Sequence, residues 1–206
     1  MTHPPNPSPP RVWNDKADIH IPGAGTFGIT LLIISLSVIF AATMILLLVF
    51  RYSILAGTAW HDPTILTLPK SLWLSTALIV ISSLAIHRAL AAIRRDDERG
   101  LVSALALTFA LGILFLFIQS WNWYEVYAQI AGSPNPRNFY VVFFYMLTVL
   151  HALHVLGGLI PMARTLAKAR RHVYSRNFHP GVRYCVAYWH FLTVVWLIFF
   201  TLIYLT

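Results

Sequence analysis

Histidine is the residue type here best suited to ligand or proton chemistry, and four of the nine histidines fall in long apolar runs: His87, His151, His154 and His190. His151 and His154 stand three residues apart, which sets both imidazoles on one face of a helix. Bis-histidine ligation of a haem needs two histidines at matching depth on different helices. His154 and His190 are the pair that suits that geometry. A ligating histidine normally donates its second N–H to a carboxylate or carbonyl, and no acidic side chain accompanies these histidines within the runs. The preferred reading is therefore hydrogen bonding between packed helices and to lipid phosphates.

Other polar residues are few. Gln119 lies in the outer half of its run, with Asn122 and Glu125 further out. Gly157 and Gly158 follow His154 and permit close helix contact. The centres of the runs hold no Asp, Glu or Lys, so a proton or ion pathway through this chain alone is not expected. No nucleophile triad, phosphate loop or metalloprotease motif is present. The lone Cys185 excludes an intrachain disulfide framework and a cysteine-rich metal site. These absences favour a helical partner subunit over an enzyme.

The elements that must carry these residues are membrane helices. Of 206 residues, 58% are hydrophobic and 11% charged, with a mean hydropathy of +0.68. A soluble domain carries about 25% charged residues, so lipid must solvate much of this chain. About 20 apolar residues span a bilayer, and five runs qualify: 26–50, 71–93, 101–124, 139–163 and 184–206. The expected fold is an all-α, five-helix transmembrane bundle over residues 23–206, preceded by a flexible, proline-rich tail over residues 1–22. Without an apolar leader, the first span is expected to act as its own targeting signal.

Charge sets the expected orientation. Twelve of the fifteen Lys and Arg residues fall in the tail and in the loops after spans two and four; Arg51, Lys70 and Arg137 fall on the other side. Positive residues over short loops stay cytoplasmic, so the N-terminus is expected inside and the C-terminus outside, in a plasma membrane of bacterial type. The net charge of +8 is read as this signal and not as nucleic-acid binding. His87, Arg88 and Arg164 are expected at phospholipid headgroups. Trp60, Trp121, Trp123, Tyr124, Tyr127 and Tyr140 would form the outer aromatic belt. Pro69 opens span two, the Asp96-Asp97-Glu98 run precedes span three, and Pro134 and Pro136 break the outer loop.

Four segments carry a family resemblance. They are Leu68-Pro69-Lys70-Ser71 leading to His87-Arg88-Ala89-Leu90, the Gly112 to Gln119 stretch with Phe115 between, Thr148 through His151, His154 and Val155 to Gly158, and Tyr188-Trp189-His190-Phe191 leading to Val195-Trp196. Together they resemble subunit III of the haem–copper oxidases, over residues 27–205. The resemblance implies the five-helix form of that subunit, with no redox centre of its own. It implies packing beside the catalytic subunit I, which with the rest of the complex carries haem and copper, reduces oxygen to water and pumps protons. It also implies lipids held in a cleft between helices. The chain departs from the family in lacking an acid in Ser35-Leu36-Ser37-Val38-Ile39-Phe40, and in having Asn122 and Thr193 where acids are common. Direct help with proton uptake is therefore not expected.

The expected function is a non-catalytic membrane subunit of a haem–copper terminal oxidase. The alternatives are an accessory subunit of a nitric oxide reductase, a small di-haem electron-transfer protein, or an oxidase assembly factor. In the first reading His151, His154 and His190 tie spans four and five together, and Gln119 caps the outer end of that seam.

Overall fold

The computed structural model describes residues 24–54, 67–131, 139–176 and 178–205. The tail over residues 1–22, with Trp60, Pro134, Pro136 and Arg137, lies outside them. Five long helices account for nearly all of the described chain: α1 (Ala24–Val49), α2 (Ser71–Arg94), α3 (Glu98–Ala131), α4 (Phe139–Arg170) and α5 (Pro180–Leu205). All five are long and apolar enough to cross a membrane. In lipid a helix satisfies its own backbone groups, which is why sequences this apolar settle on helices.

Two helices run past their expected ends. The 34 residues of α3 and 32 of α4 make rods of about 50 Å, against a hydrocarbon core of about 30 Å. The apolar pattern marks only the lipid-covered part. The last turns of α4 leave it and carry Lys168 and Arg170. Pro161 sits inside α4; it supplies no N–H, which frees the Gly157 carbonyl four residues back.

The short turns at the basic end are built by left-handed residues. Asp96 and His172 have φ of 56° and follow α2 and α4. Asp97 N–H reaches back to Ala92 O, and Val173 N–H to Lys168 O, each closing a helix C-terminus in the Schellman manner. Asp97 then caps α3, its Oδ1 accepting from Gly100 N–H at 2.9 Å. The two loops touch: His172 Nδ1 lies 2.5 Å from Glu98 Oε2, and Arg176 N–H donates to Asp96 Oδ1 at 3.2 Å. The acids between the arginines thus join both basic loops at one end of the bundle. Between them Tyr174 is buried, and burial pushes its phenol up.

Helices α2 to α5 share a core, while among the described helices α1 packs on α4 and α5. Its buried residues are Leu36, Phe40 and Leu47. Phe40 meets the rings of His154 at 5.0 Å and Phe199 at 5.4 Å. The rest of α1 is largely exposed, Val38 and Phe27 by about two thirds; on a membrane helix that is a lipid-facing surface.

Candidate functional site

The polar groups within the bundle lie along the inter-helix seams in three levels. The outermost joins α2 to α3. Ser71 Oγ donates to Asn122 Oδ1 at 2.5 Å, and Asn122 Nδ2 donates to Gln119 Oε1 at 3.2 Å. Trp121 Nε1 donates to Glu125 Oε1 at 2.7 Å. Gln119 and Asn122 are fully buried, and Gln119 Nε2 has no partner. Gln119 is thus reached by Asn122 of its own helix, in a polar layer that lies between α2 and α3.

At the middle level His151 is fully buried and neither ring nitrogen has a hydrogen-bond partner. It is packed by rings instead: Trp196 at 5.0 Å, Phe115 at 5.9 Å, Phe199 at 6.1 Å and Phe40 at 6.3 Å. The neighbouring polar links are Trp123 Nε1 to Thr148 Oγ1 at 3.0 Å, between α3 and α4, and Trp196 Nε1 to Thr76 Oγ1 at 3.0 Å, between α5 and α2.

At the third level, toward the basic end, Trp189 Nε1 donates to Ser82 Oγ at 2.9 Å. His190 Nδ1 lies 2.7 Å from Ser83 Oγ, and its ring is 5.9 Å from that of His87. His154 Nδ1 turns back to its own helix, donating to Leu150 O at 2.7 Å, and Tyr188 OH donates to His154 O at 3.1 Å.

The three histidines are thus not one cluster. His151 touches α5 through rings alone, His154 faces α1 through Phe40, and His190 faces α2. The tie between spans four and five expected of them is made instead by Tyr188 OH to His154 O, and by Tyr140 OH to Ile203 O at 3.0 Å. His154 and His190 stand on different seams, so the structure does not assemble them as a ligand pair. Among the described residues no three of His, Cys, Asp and Glu converge as metal ligands would.

The residues that sequence reasoning passed over are the hydroxyls of α2. Trp189 and Trp196 are seven residues apart and share a helix face of α5, and their acceptors Ser82 and Thr76 lie six apart on α2. A buried indole N–H needs an acceptor, and two tryptophans two turns apart on α5, facing a serine- and threonine-bearing α2 whose Thr76 and Ser82 accept from them, is the signal that could have found them.

Close approach is built by glycine. A Cβ at Gly112 would lie 2.8 Å from the Trp189 ring, and one at Gly158 would lie 2.6 Å from Tyr188. Gly112 of α3 and Gly158 of α4 therefore admit the aromatic face of α5. Gly157 instead faces an open cleft of about 390 Å³, walled by Ile29 and Leu32 of α1, Pro161 of α4 and Tyr184 of α5. A second groove, of about 380 Å³, lies between α2 and α3 at the basic end and is lined by Arg88, Arg95, Asp97 and Ser103 over alanines. Arg164 is exposed near the end of α4.

Comparison with known proteins follows this geometry. The profile of the family described as "Cytochrome c oxidase subunit III" matches residues 19–206. A cytochrome c oxidase subunit 3 of Synechocystis sp. is 33% identical over 187 residues, covering 89% of this chain and 76% of the relative. One of Thermostichus vulcanus is 34% identical over 134 residues, covering 64% of each. The pig protein of the same name is 30% identical over 131 residues, covering 64% of this chain and 48% of the relative. The match thus spans about half to three quarters of these relatives' length.

Proposed function

This chain belongs to the cytochrome c oxidase subunit III family, and from that premise we propose that it is a non-catalytic, multi-pass membrane subunit of a haem–copper oxidase. The observation that carries the reading is the wiring of its histidines. Each one in the bundle is engaged by rings, its own backbone or a serine, an arrangement suited to holding helices together and not to binding a redox centre. The partner subunits supply haem and copper, and this chain supplies a rigid α2–α5 block with α1 laid against it.

In this reading the basic end faces the cytoplasm, as the twelve positive residues on that side require. Arg88 and Arg95, at the mouth of the alanine-walled groove, and Arg164 hold phospholipid headgroups there. His87, the residue before Arg88, turns its ring toward His190 and so to a different side of α2.

Deletion tests the proposal. Oxidase purified from cells lacking this chain should keep its full haem spectrum and initial turnover while losing stability or lipid. Loss of a haem from that preparation would contradict a purely supporting role.

A further inference from the structure

We propose that the exposed seam between α2 and α5 is the surface through which this chain docks, within the bilayer, on a transmembrane helix of a partner subunit bearing a hydrogen-bonding side chain at the level of His87 and His190. The inference rests on the reading above and names the face it uses.

The argument begins with what lipid tolerates. Polar side chains within a membrane normally face the protein interior or another polar group. Several outward-facing hydroxyls behave so: those of Thr30, Ser120 and Thr201 each bond a carbonyl of their own helix, at 2.8, 2.9 and 2.8 Å. His87 does not. It is exposed and its one contact is the His190 ring, with no hydrogen bond among the described residues. It stands seven residues before Arg94, at the end of α2, hence about 10 Å inside that end. His190 is partly exposed beside it. Ser83 Oγ occupies His190 Nδ1 at 2.7 Å, so the opposite edge of the ring, Nε2, is the one open to a partner. Two imidazole edges thus face outward with no hydrogen-bond partner among the described residues.

The rest of the face is shaped for a helix. Trp73, Val80 and His87 are seven apart along α2, and His190, Leu197 and Tyr204 are seven apart along α5. The helices are antiparallel, so the rows meet end to end: His87 against His190 at 5.9 Å and Trp73 against Tyr204 at 5.4 Å. Val80 and Leu197 fall between. Trp73 is 59% exposed although it stacks on Phe200 at 4.8 Å. The seam therefore presents an aromatic end, an apolar middle and a polar end in heptad register, the pattern by which helices pack.

The test uses the intact oxidase. The photoreactive residue p-benzoylphenylalanine is placed at Val80 or Leu197 and, as a control, at Leu156 on the outer face of α4. Complex is purified through a tag on this chain and irradiated. We expect an adduct to a second protein from Val80 and Leu197 and none from Leu156. A companion pair, His87→Leu and His87→Gln, should lower the co-purified partner severalfold for leucine and largely restore it for glutamine; leucine keeps the helix apolar, so insertion is not at issue. Complex that forms normally but gives only phospholipid adducts at Val80 and Leu197, or protein adducts from Leu156 alone, would overturn the docking face and leave the subunit assignment standing. No co-purifying oxidase at all would sink the assignment, and the docking proposal with it.

Discussion

Trp196 on α5 donates its indole N–H to the Thr76 hydroxyl on α2 across 3.0 Å, with both groups buried at the middle of the bundle. Two turns along α5 toward the basic end, Trp189 makes the same bond to Ser82 at 2.9 Å. These two links, with His190 Nδ1 to Ser83 Oγ at 2.7 Å, hold α5 to α2. Interhelical hydrogen bonds in lipid are worth about 0.6 kcal/mol on average and up to about 1.7. A double-mutant cycle with Trp196→Phe and Thr76→Val, read by unfolding in mixed detergent, should give a coupling in that range. Strict additivity of the two changes would show the bond to contribute nothing.

Gly112 tests close packing. A Cβ there meets Trp189 at 2.8 Å, and overpacking of this kind costs about 1–3 kcal/mol. Gly112→Ala should therefore destabilise the bundle. Gly157→Ala is the internal control, since nothing lies within 4 Å of its added Cβ, and it should be neutral or slightly stabilising because alanine is the better helix former. Equal effects at the two sites would refute the packing argument.

His151 should tolerate loss of its nitrogens better than loss of its ring. A buried polar group without a partner costs about 1–3 kcal/mol, and an apolar replacement of the same shape can be neutral. His151→Phe is expected to stay within about 1 kcal/mol of the native chain, and His151→Ala to fall by more than about 2 kcal/mol as the aromatic cage empties. A phenylalanine variant as damaged as the alanine one would mean that the imidazole nitrogens are used.

Phe40 is the anchor of α1. It is 1% exposed and meets His154, Phe199 and Phe191. Truncating such a residue costs about 3–5 kcal/mol. Phe40→Ala should release α1 from α4 and α5, seen as faster protease cleavage between α1 and α2, while α2 to α5 remain protected. Uniform cleavage across all loops would show that α1 is not a separate unit.

The fold was largely legible in the sequence because apolar runs of membrane length leave a chain no alternative to helices. The helix ends were less so: charge marks where lipid stops and not where hydrogen bonding stops, so α4 carries on through Lys168 to Arg170. Among the site residues, Gln119 is buried, in a polar layer between α2 and α3 and not between spans four and five. The grouping of His151, His154 and His190 was not readable, because periodicity gives each helix a face without saying which neighbour that face meets. Rotation of α5 puts His190 against α2 and leaves Tyr188 to reach α4. The α2 hydroxyls escaped notice because serine and threonine commonly satisfy themselves on their own helix, as Thr76 also does to Leu72 O at 2.8 Å.

The most direct test of the central claim is purification of the tagged chain from its native membrane in mild detergent, with mass spectrometry and a reduced-minus-oxidised spectrum of the product. The account predicts recovery with a large haem-bearing oxidase subunit, and no haem signal once this chain is separated from it. A lone chain that carries its own haem would contradict it and return the histidines to the role of ligands.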